Sequence, residues 1–264
     1  MKHWMAVLAI GLVACASEPK VEKPVRLQTA ESAMRAGNKA FAGERYRDAA
    51  MSWQDAFDAY RSIDDWAGQG EARLGLAQAF DRQGEAAAAR NVLLGLPEQI
   101  LFPQPLRARA AYQLALLAAR DDATGAAERL QQARTLCAAP CALAPQLDNL
   151  AARLALPTAP AQAEALARGV LDGMPGAPAV ERAHAARLIA EARLLANDAP
   201  TARDVLLQAI ALDKEQGNST FLGDDFALLI KVARALDDAA LRAEAEARFA
   251  SLCAAVRVAA CKAP

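Results

Sequence analysis

A chain of 264 residues with 30 Lys and Arg against 31 Asp and Glu, 54% hydrophobic but only 5% aromatic, can bury a core yet has few large side chains to fill it. Sixty-nine of its residues are alanine, the strongest helix former and a poor strand residue, which argues against a sheet-centred architecture. A formal net charge of −1 leaves no basic stripe to displace counterions from phosphates, so nucleic acid is not an expected partner.

The chain opens with Lys2, an apolar stretch from Met5 to Ala14, and then Cys15 followed by polar residues. This is the composition of an export signal, and it is too short for a membrane span, which needs roughly 20 apolar residues. Leu12-Val13-Ala14-Cys15 resembles the bacterial lipobox. The resemblance implies a signal peptide over 1–14, cleavage ahead of Cys15 and a diacylglycerol on its sulfur. Ala16 and Ser17, where an Asp would mark inner-membrane retention, imply an outer-membrane lipoprotein facing the periplasm. Cys15 and the residues to 28 are then a lipidated end and a flexible tether. Residues 16–28 hold two prolines and five charges, and fully extended they reach roughly 40 Å.

From Thr29 to the C-terminus, residues 29–264, the helical period is continuous and broken at short intervals by polar turns. An Ala, a larger or apolar residue four on and a small or apolar residue three later recur as Ala49-Trp53-Ala56, Ala89-Leu93-Leu96, Ala126-Leu130-Ala133, Ala163-Ala167-Val170, Ala202-Leu206-Ala209 and Ala243-Ala247-Ala250. Their first members lie 40, 37, 37, 39 and 41 residues apart. A second amphipathic helix and a polar turn precede each triad, so the pattern predicts two helices per repeat and about twelve in all. This resembles the tetratricopeptide repeat (TPR), most closely through Gly37, Ala40-Phe41, Tyr46, Ala49, Trp53 and Ala56, and next through Ala190, Ala202, Leu206 and Ala209. The resemblance implies an all-α, right-handed solenoid of about six degenerate TPR-like helix pairs. An irregular all-α bundle, whose alanine spacing reflects composition alone, is the alternative. In such a solenoid the first helix of each pair lines a concave face, which places Met34, Asn38 and Phe41, Leu74, Gln78 and Arg82, and His184, Arg187 and Glu191 toward a partner. The last three are three and four apart and share one helix face. The reading that competes with this, and is favoured over it, is a solvated, mutually paired surface.

Catalytic chemistry is sparse. Beyond the signal segment the only histidine is His184, and no GxSxG, HExxH or P-loop pattern occurs, so neither a catalytic site, a metal site nor a cofactor is expected. Gly68-Gln69-Gly70 lacks the third glycine of a dinucleotide loop and reads as a bend between repeats. Asp64-Asp65, Asp121-Asp122, Asp224-Asp225 and Asp237-Asp238 are expected at helix starts or turns, where a carboxylate accepts exposed backbone N–H bonds. In an oxidising periplasm the four remaining cysteines imply bridges, and locality pairs Cys137 with Cys141 and Cys253 with Cys261. The latter pair would lie about 12 Å apart along an unbroken helix, so the last helix must end between them. The expected function is a lipid-anchored periplasmic scaffold that binds a cell-envelope protein or peptide on its concave face, in envelope assembly, secretion or peptidoglycan synthesis. The alternative is a small-ligand-binding lipoprotein partnered with a transporter.

Overall fold

The structure is a computed structural model that describes residues 23–262 apart from 175 and 257. The signal segment and Cys15 lie outside the described residues. Twelve α-helices follow in chain order among the described residues: α1 (Val25–Ala42), α2 (Tyr46–Arg61), α3 (Trp66–Arg82), α4 (Ala86–Leu93), α5 (Gln104–Ala118), α6 (Ala123–Leu136), α7 (Ala144–Ala155), α8 (Pro160–Leu171), α9 (Ala179–Leu195), α10 (Ala199–Glu215), α11 (Ser219–Ala235) and α12 (Ala239–Ala255), with a final 3₁₀ turn at Ala259–Lys262. No helix in this region is long and apolar enough to cross a membrane. The first helix starts at Val25 and so takes in the last four residues of the expected tether. Pro24, extended at φ −53° and ψ 138°, stands immediately before it, and the helical pattern runs on from Val25 without another breaker.

One turn is used six times. After α1, α2, α3, α9, α10 and α11 a residue in the left-handed region is followed by the first residue of the next turn, at Glu44, Asp64, Gly84, Asn197, Gly217 and Asp237. The N–H of the following residue donates to a carbonyl five residues back, as in Arg45 to Ala40, Asp65 to Tyr60, Glu85 to Phe80, Asp198 to Arg193, Asn218 to Asp213 and Asp238 to Ala233. This closes the helix end with a Schellman-type bond. Asp65, Asp198, Asn218 and Asp238 then cap the next helix by accepting from the N–H three residues on, as does Asp122 ahead of α6. The acidic pairs at 64, 121 and 237 are therefore turn and cap residues. Asp224-Asp225 is not: it lies inside α11, with Asp225 on the helix face that continues to Leu229 and Val232.

Small residues set the helix spacing. Ala49, Ala56, Ala72, Ala79, Ala89, Ala126, Ala163, Ala185, Ala202 and Ala209 are fully buried, so neighbouring helices approach closely around larger side chains. Five of the six triads are buried throughout. Trp53 shows the principle. Its indole lies between Gly37 of α1 and Gly75 of α3, where an added Cβ would stand 2.6 Å from the ring in each case. Gly68 and Gly70 do the same for Tyr60 and Leu106. They sit within the first turns of α3, not in a bend between repeats, because the ring and the leucine need the room a Cβ would take. The sixth triad is misregistered: Ala243, Ala247 and Ala250 are exposed and Ala245 is the buried residue of α12. Among the described residues no further helix packs beyond α12, and its buried stripe is correspondingly narrow.

The middle of the array is less regular. Helix α4 stops at Leu93, the chain turns through Gly95 at φ +76°, and Leu96 is nevertheless fully buried. Arg73 caps this end by donating to the carbonyls of Val92 and Leu94. Cys137 and Cys141 are disulfide-bonded across the α6–α7 connection. Cys253 and Cys261 are bonded as well. Helix α12 ends at Ala255 in extended backbone, which lets the tail return and bury Val258 against Gly223 of α11.

Each helix packs against the next in sequence, and the odd-numbered helices also touch one another, α1 against α3, α3 against α5, α7 against α9 and α9 against α11. The array therefore curves with its odd helices inside. The architecture is an all-helical, TPR-like solenoid.

Candidate functional site

Two cavities open along the odd helices. The first, of about 350 Å³, is lined by Phe41 of α1, by Gln78 and Arg82 of α3, by Arg109, Tyr112 and Gln113 of α5, and by Gln146 of α7. It lies where α5 and α7 are not packed as the other inner neighbours are. Three amides, Gln78, Gln113 and Gln146, come from successive inner helices. The Oε1 atoms of Gln113 and Gln146 are buried without a hydrogen-bond partner, a condition that a bound donor would relieve. Arg109 is held by Glu71, its Nη1 donating to Oε1 at 2.6 Å. Tyr112 sits where burial, with the Glu181 charge, pushes its phenol upward and keeps it a neutral donor. Phe41, Gln78 and Arg82 thus meet in one cavity.

Three other expected residues make contacts within the fold, Asn38 while remaining exposed. Met34 packs half-buried beside Trp53 and Tyr60. Asn38 accepts from the Trp53 indole N–H at 3.1 Å. Leu74 is fully buried in the core because it falls on the stripe of α3 that meets α4 and α5.

The second cavity, of about 520 Å³, gathers His184, Arg187 and Glu191 of α9 with Arg153 of α7 and Phe221, Asp224 and Lys231 of α11. The reading of Arg187 as a surface residue is corrected here. It is buried, and its guanidinium bridges two fully buried carboxylates. Nη2 donates to Asp213 at 2.7 Å and Nε donates to Asp225 at 2.5 Å. Its partners come from α10 and α11, not from its own helix, so the triad ties three helices together. Two carboxyls facing one cation are one negative charge too many for a low-dielectric site. Burial first, and then the neighbouring Asp225, push the Asp213 carboxyl up to about 7 against the pull of Arg187. Burial likewise raises Asp225. The pair therefore retains a proton well above the usual carboxylate range.

Phe221 is fixed from two directions. The Arg187 guanidinium carbon lies 5.0 Å from its centroid and the His184 ring stacks near it at 6.4 Å. Burial, with the charges of Arg187 and Arg153, pushes His184 down to about 3, so it is a neutral imidazole offering one donor and one acceptor. Glu191 and Asp224 are both raised, chiefly by burial, with Arg187 and Arg153 opposing.

Sequence reasoning missed Asp213, Asp225, Arg153 and Lys231 here, and Arg109, Tyr112, Gln113 and Gln146 in the first cavity. For the triad a signal existed. Arg187 falls between Ala183 and Ala190, Asp213 after Leu206 and Ala209, and Asp225 before Leu229 and Val232, each a charge set on an apolar stripe.

No family model and no curated relative matches the chain. Solved structures that share its architecture include the following two. BtubC (BKLC) from P. vanneervenii aligns with a TM-score of 0.56 at 18% identity, covering 88% of this chain and 92% of that one. The pilF protein of Pseudomonas aeruginosa aligns with a TM-score of 0.58 at 16% identity, covering 86% and 93%. At such identities the likeness is one of fold: a TPR-like, all-helical repeat.

Proposed function

We propose that the chain is a non-enzymatic scaffold that holds an extended segment of a protein partner along its inner face. In this reading the protein is anchored through a lipid on Cys15 to the outer membrane, facing the periplasm, and serves envelope assembly, secretion or peptidoglycan synthesis. The observation that carries the binding reading is the first cavity, where amides from α3, α5 and α7 stand in succession with the Gln113 and Gln146 oxygens lacking partners. Amides offer a donor and an acceptor each, which suits a polypeptide main chain of any side-chain sequence. Phe41 and Leu116 supply apolar contact between them. The lipid anchor rests on the Leu12–Cys15 pattern.

The test is site-specific photo-crosslinking from the full-length protein in cells. A photoreactive residue at Gln78 or Tyr112 should capture a discrete partner. The same residue at Gln131, exposed on α6, should not. Equal capture from both faces removes the groove reading. Cys15→Ala should yield unprocessed or soluble protein, and continued membrane fractionation with unchanged mass would refute the anchor.

A further inference from the structure

The second cavity has a composition unlike the rest of the surface. Arg153 and Lys231 are cationic, Glu191 and Asp224 are acidic, and all four line the same space. Among the described residues none of the four has an opposite charge within 4.0 Å, the limit that defines an ion pair. Nearby charges do pair: Arg193 and Arg168 both reach Glu164, and Arg134 reaches Asp148. The unpaired four are held apart by their positions, one on α7, one on α9 and two on α11. Asp224 and Lys231 are seven residues apart on one helix, two turns or roughly 10 Å along its axis. Between them the wall is apolar, made by Leu156, Leu188, Leu228 and the braced ring of Phe221.

Asp224 and Lys231 thus place an acid and a base at opposite ends of the wall that α11 contributes. A ligand that is only anionic would meet Arg153 and Lys231 but would cover Glu191 and Asp224 without compensating them, which is unfavourable in a partly desolvated site. A purely cationic ligand has the converse problem. A ligand bearing both charges at the ends of a short apolar body meets Asp224 at one end and Lys231 at the other. A tripeptide backbone spans about 10 Å when extended, which matches the separation of Asp224 and Lys231, and the volume of about 520 Å³ lies in the range of small-ligand pockets.

We propose that the cavity between α7, α9 and α11 binds a short zwitterionic peptide, its free ammonium taken by Asp224 and its free carboxylate by Lys231, at the two ends of the wall that α11 contributes. The site is separate from the first cavity, and neither reading depends on the other.

Isothermal titration of the purified protein with Ala-Leu-Ala tests it, alongside the N-acetylated, C-amidated and doubly blocked forms of the same peptide. The free peptide should bind, and blocking either end should weaken binding by about tenfold or more, as loss of a charge-assisted hydrogen bond does. Lys231→Gln should weaken the free peptide and remove the effect of amidation while keeping that of acetylation. Asp224→Asn should do the reverse. Both side chains are exposed, and unchanged melting by circular dichroism verifies the fold of each variant. Gln113→Ala should leave peptide binding unchanged, which separates this site from the partner groove. Absence of binding at millimolar peptide overturns the proposal, as does equal affinity for the free and doubly blocked forms. Equal affinity for the free and N-acetylated forms would show a simple anion site and overturn it too.

Discussion

Replacing Arg187 with methionine removes the one cation from between two carboxyls that are fully buried, while keeping most of the side chain's apolar length. The Arg187 side chain is 8% exposed and those of Asp213 and Asp225 are 0% exposed, so water cannot replace the lost hydrogen bonds. A surface ion pair of this kind would be worth at most about 1 kcal/mol, but breaking a buried one by removing a single partner costs about 3–5 kcal/mol. That is a large part of the roughly 5–15 kcal/mol that holds a typical domain folded. Because repeats in a solenoid depend mainly on their neighbours, the loss should concentrate in α9–α11 and leave α1–α3 close to native. Urea unfolding followed by circular dichroism at pH 7 gives the magnitude, and hydrogen exchange gives the location. Asp225→Asn leaves Arg187 one carboxylate and removes the surplus charge, so it should destabilise less than Arg187→Met. A loss under about 1 kcal/mol for Arg187→Met, or the opposite order of the two variants, would refute the account of the triad.

The same triad gives a pH dependence. Asp213 titrates near 7 when folded and near 4 when unfolded, so its contribution is full below about pH 4. It is lost as pH rises toward 7, and Asp213→Asn should flatten this part of the stability profile; an unchanged slope from pH 4 to 7 would contradict the shared proton. His184 acts in the other direction. Held at about 3 when folded against about 6.5 unfolded, it favours folding above pH 6.5 and loses that contribution as pH falls, so His184→Gln should reduce the acid-side loss of stability, and equal acid sensitivity counts against burial of the ring. In the first repeat, Trp53→Ala should cost about 3–5 kcal/mol. Gly75→Ala should also destabilise, by about 1–3 kcal/mol, although helix propensity alone would favour it by up to about 1 kcal/mol; a neutral or stabilising result in denaturant melts means the indole is not gripped there. Cys253→Ala with Cys261→Ala should free the tail from α11 and raise hydrogen exchange near Gly223 without altering α1–α3. Unchanged exchange at that helix would show that Val258 alone holds the tail.

The architecture was legible because small–large–small triads at i, i+4 and i+7 mark one helix face, and five of the six lie in the core. The cysteine pairing was legible for the same local reason: Cys137 and Cys141 are four residues apart, and Cys253 and Cys261 only eight. Site residues were harder. Phe41, Gln78 and Arg82 could be placed on an inner face by helix position alone, but which odd helices separate enough to leave a cavity depends on packing between distant segments. Helix α4 ends at Leu93 and the Cys137–Cys141 link shapes the α6–α7 connection, and neither feature fixes the spacing of α5 and α7 in the sequence. Asp224-Asp225 shows the limit most clearly. The pair looks like the capping pairs at 64, 121 and 237, and composition cannot separate them. Periodicity can: Asp225 shares its face with Leu229 and Val232, so it must be buried, and a buried carboxylate requires a cation. Only one arginine of α9 falls on an equally apolar stripe, and it is Arg187. Asp224, one position further round the helix, is turned off that stripe into the cavity, so the two neighbours divide the work of the segment. One holds α9, α10 and α11 together, and the other faces the cavity between α7, α9 and α11, where no described residue pairs with it.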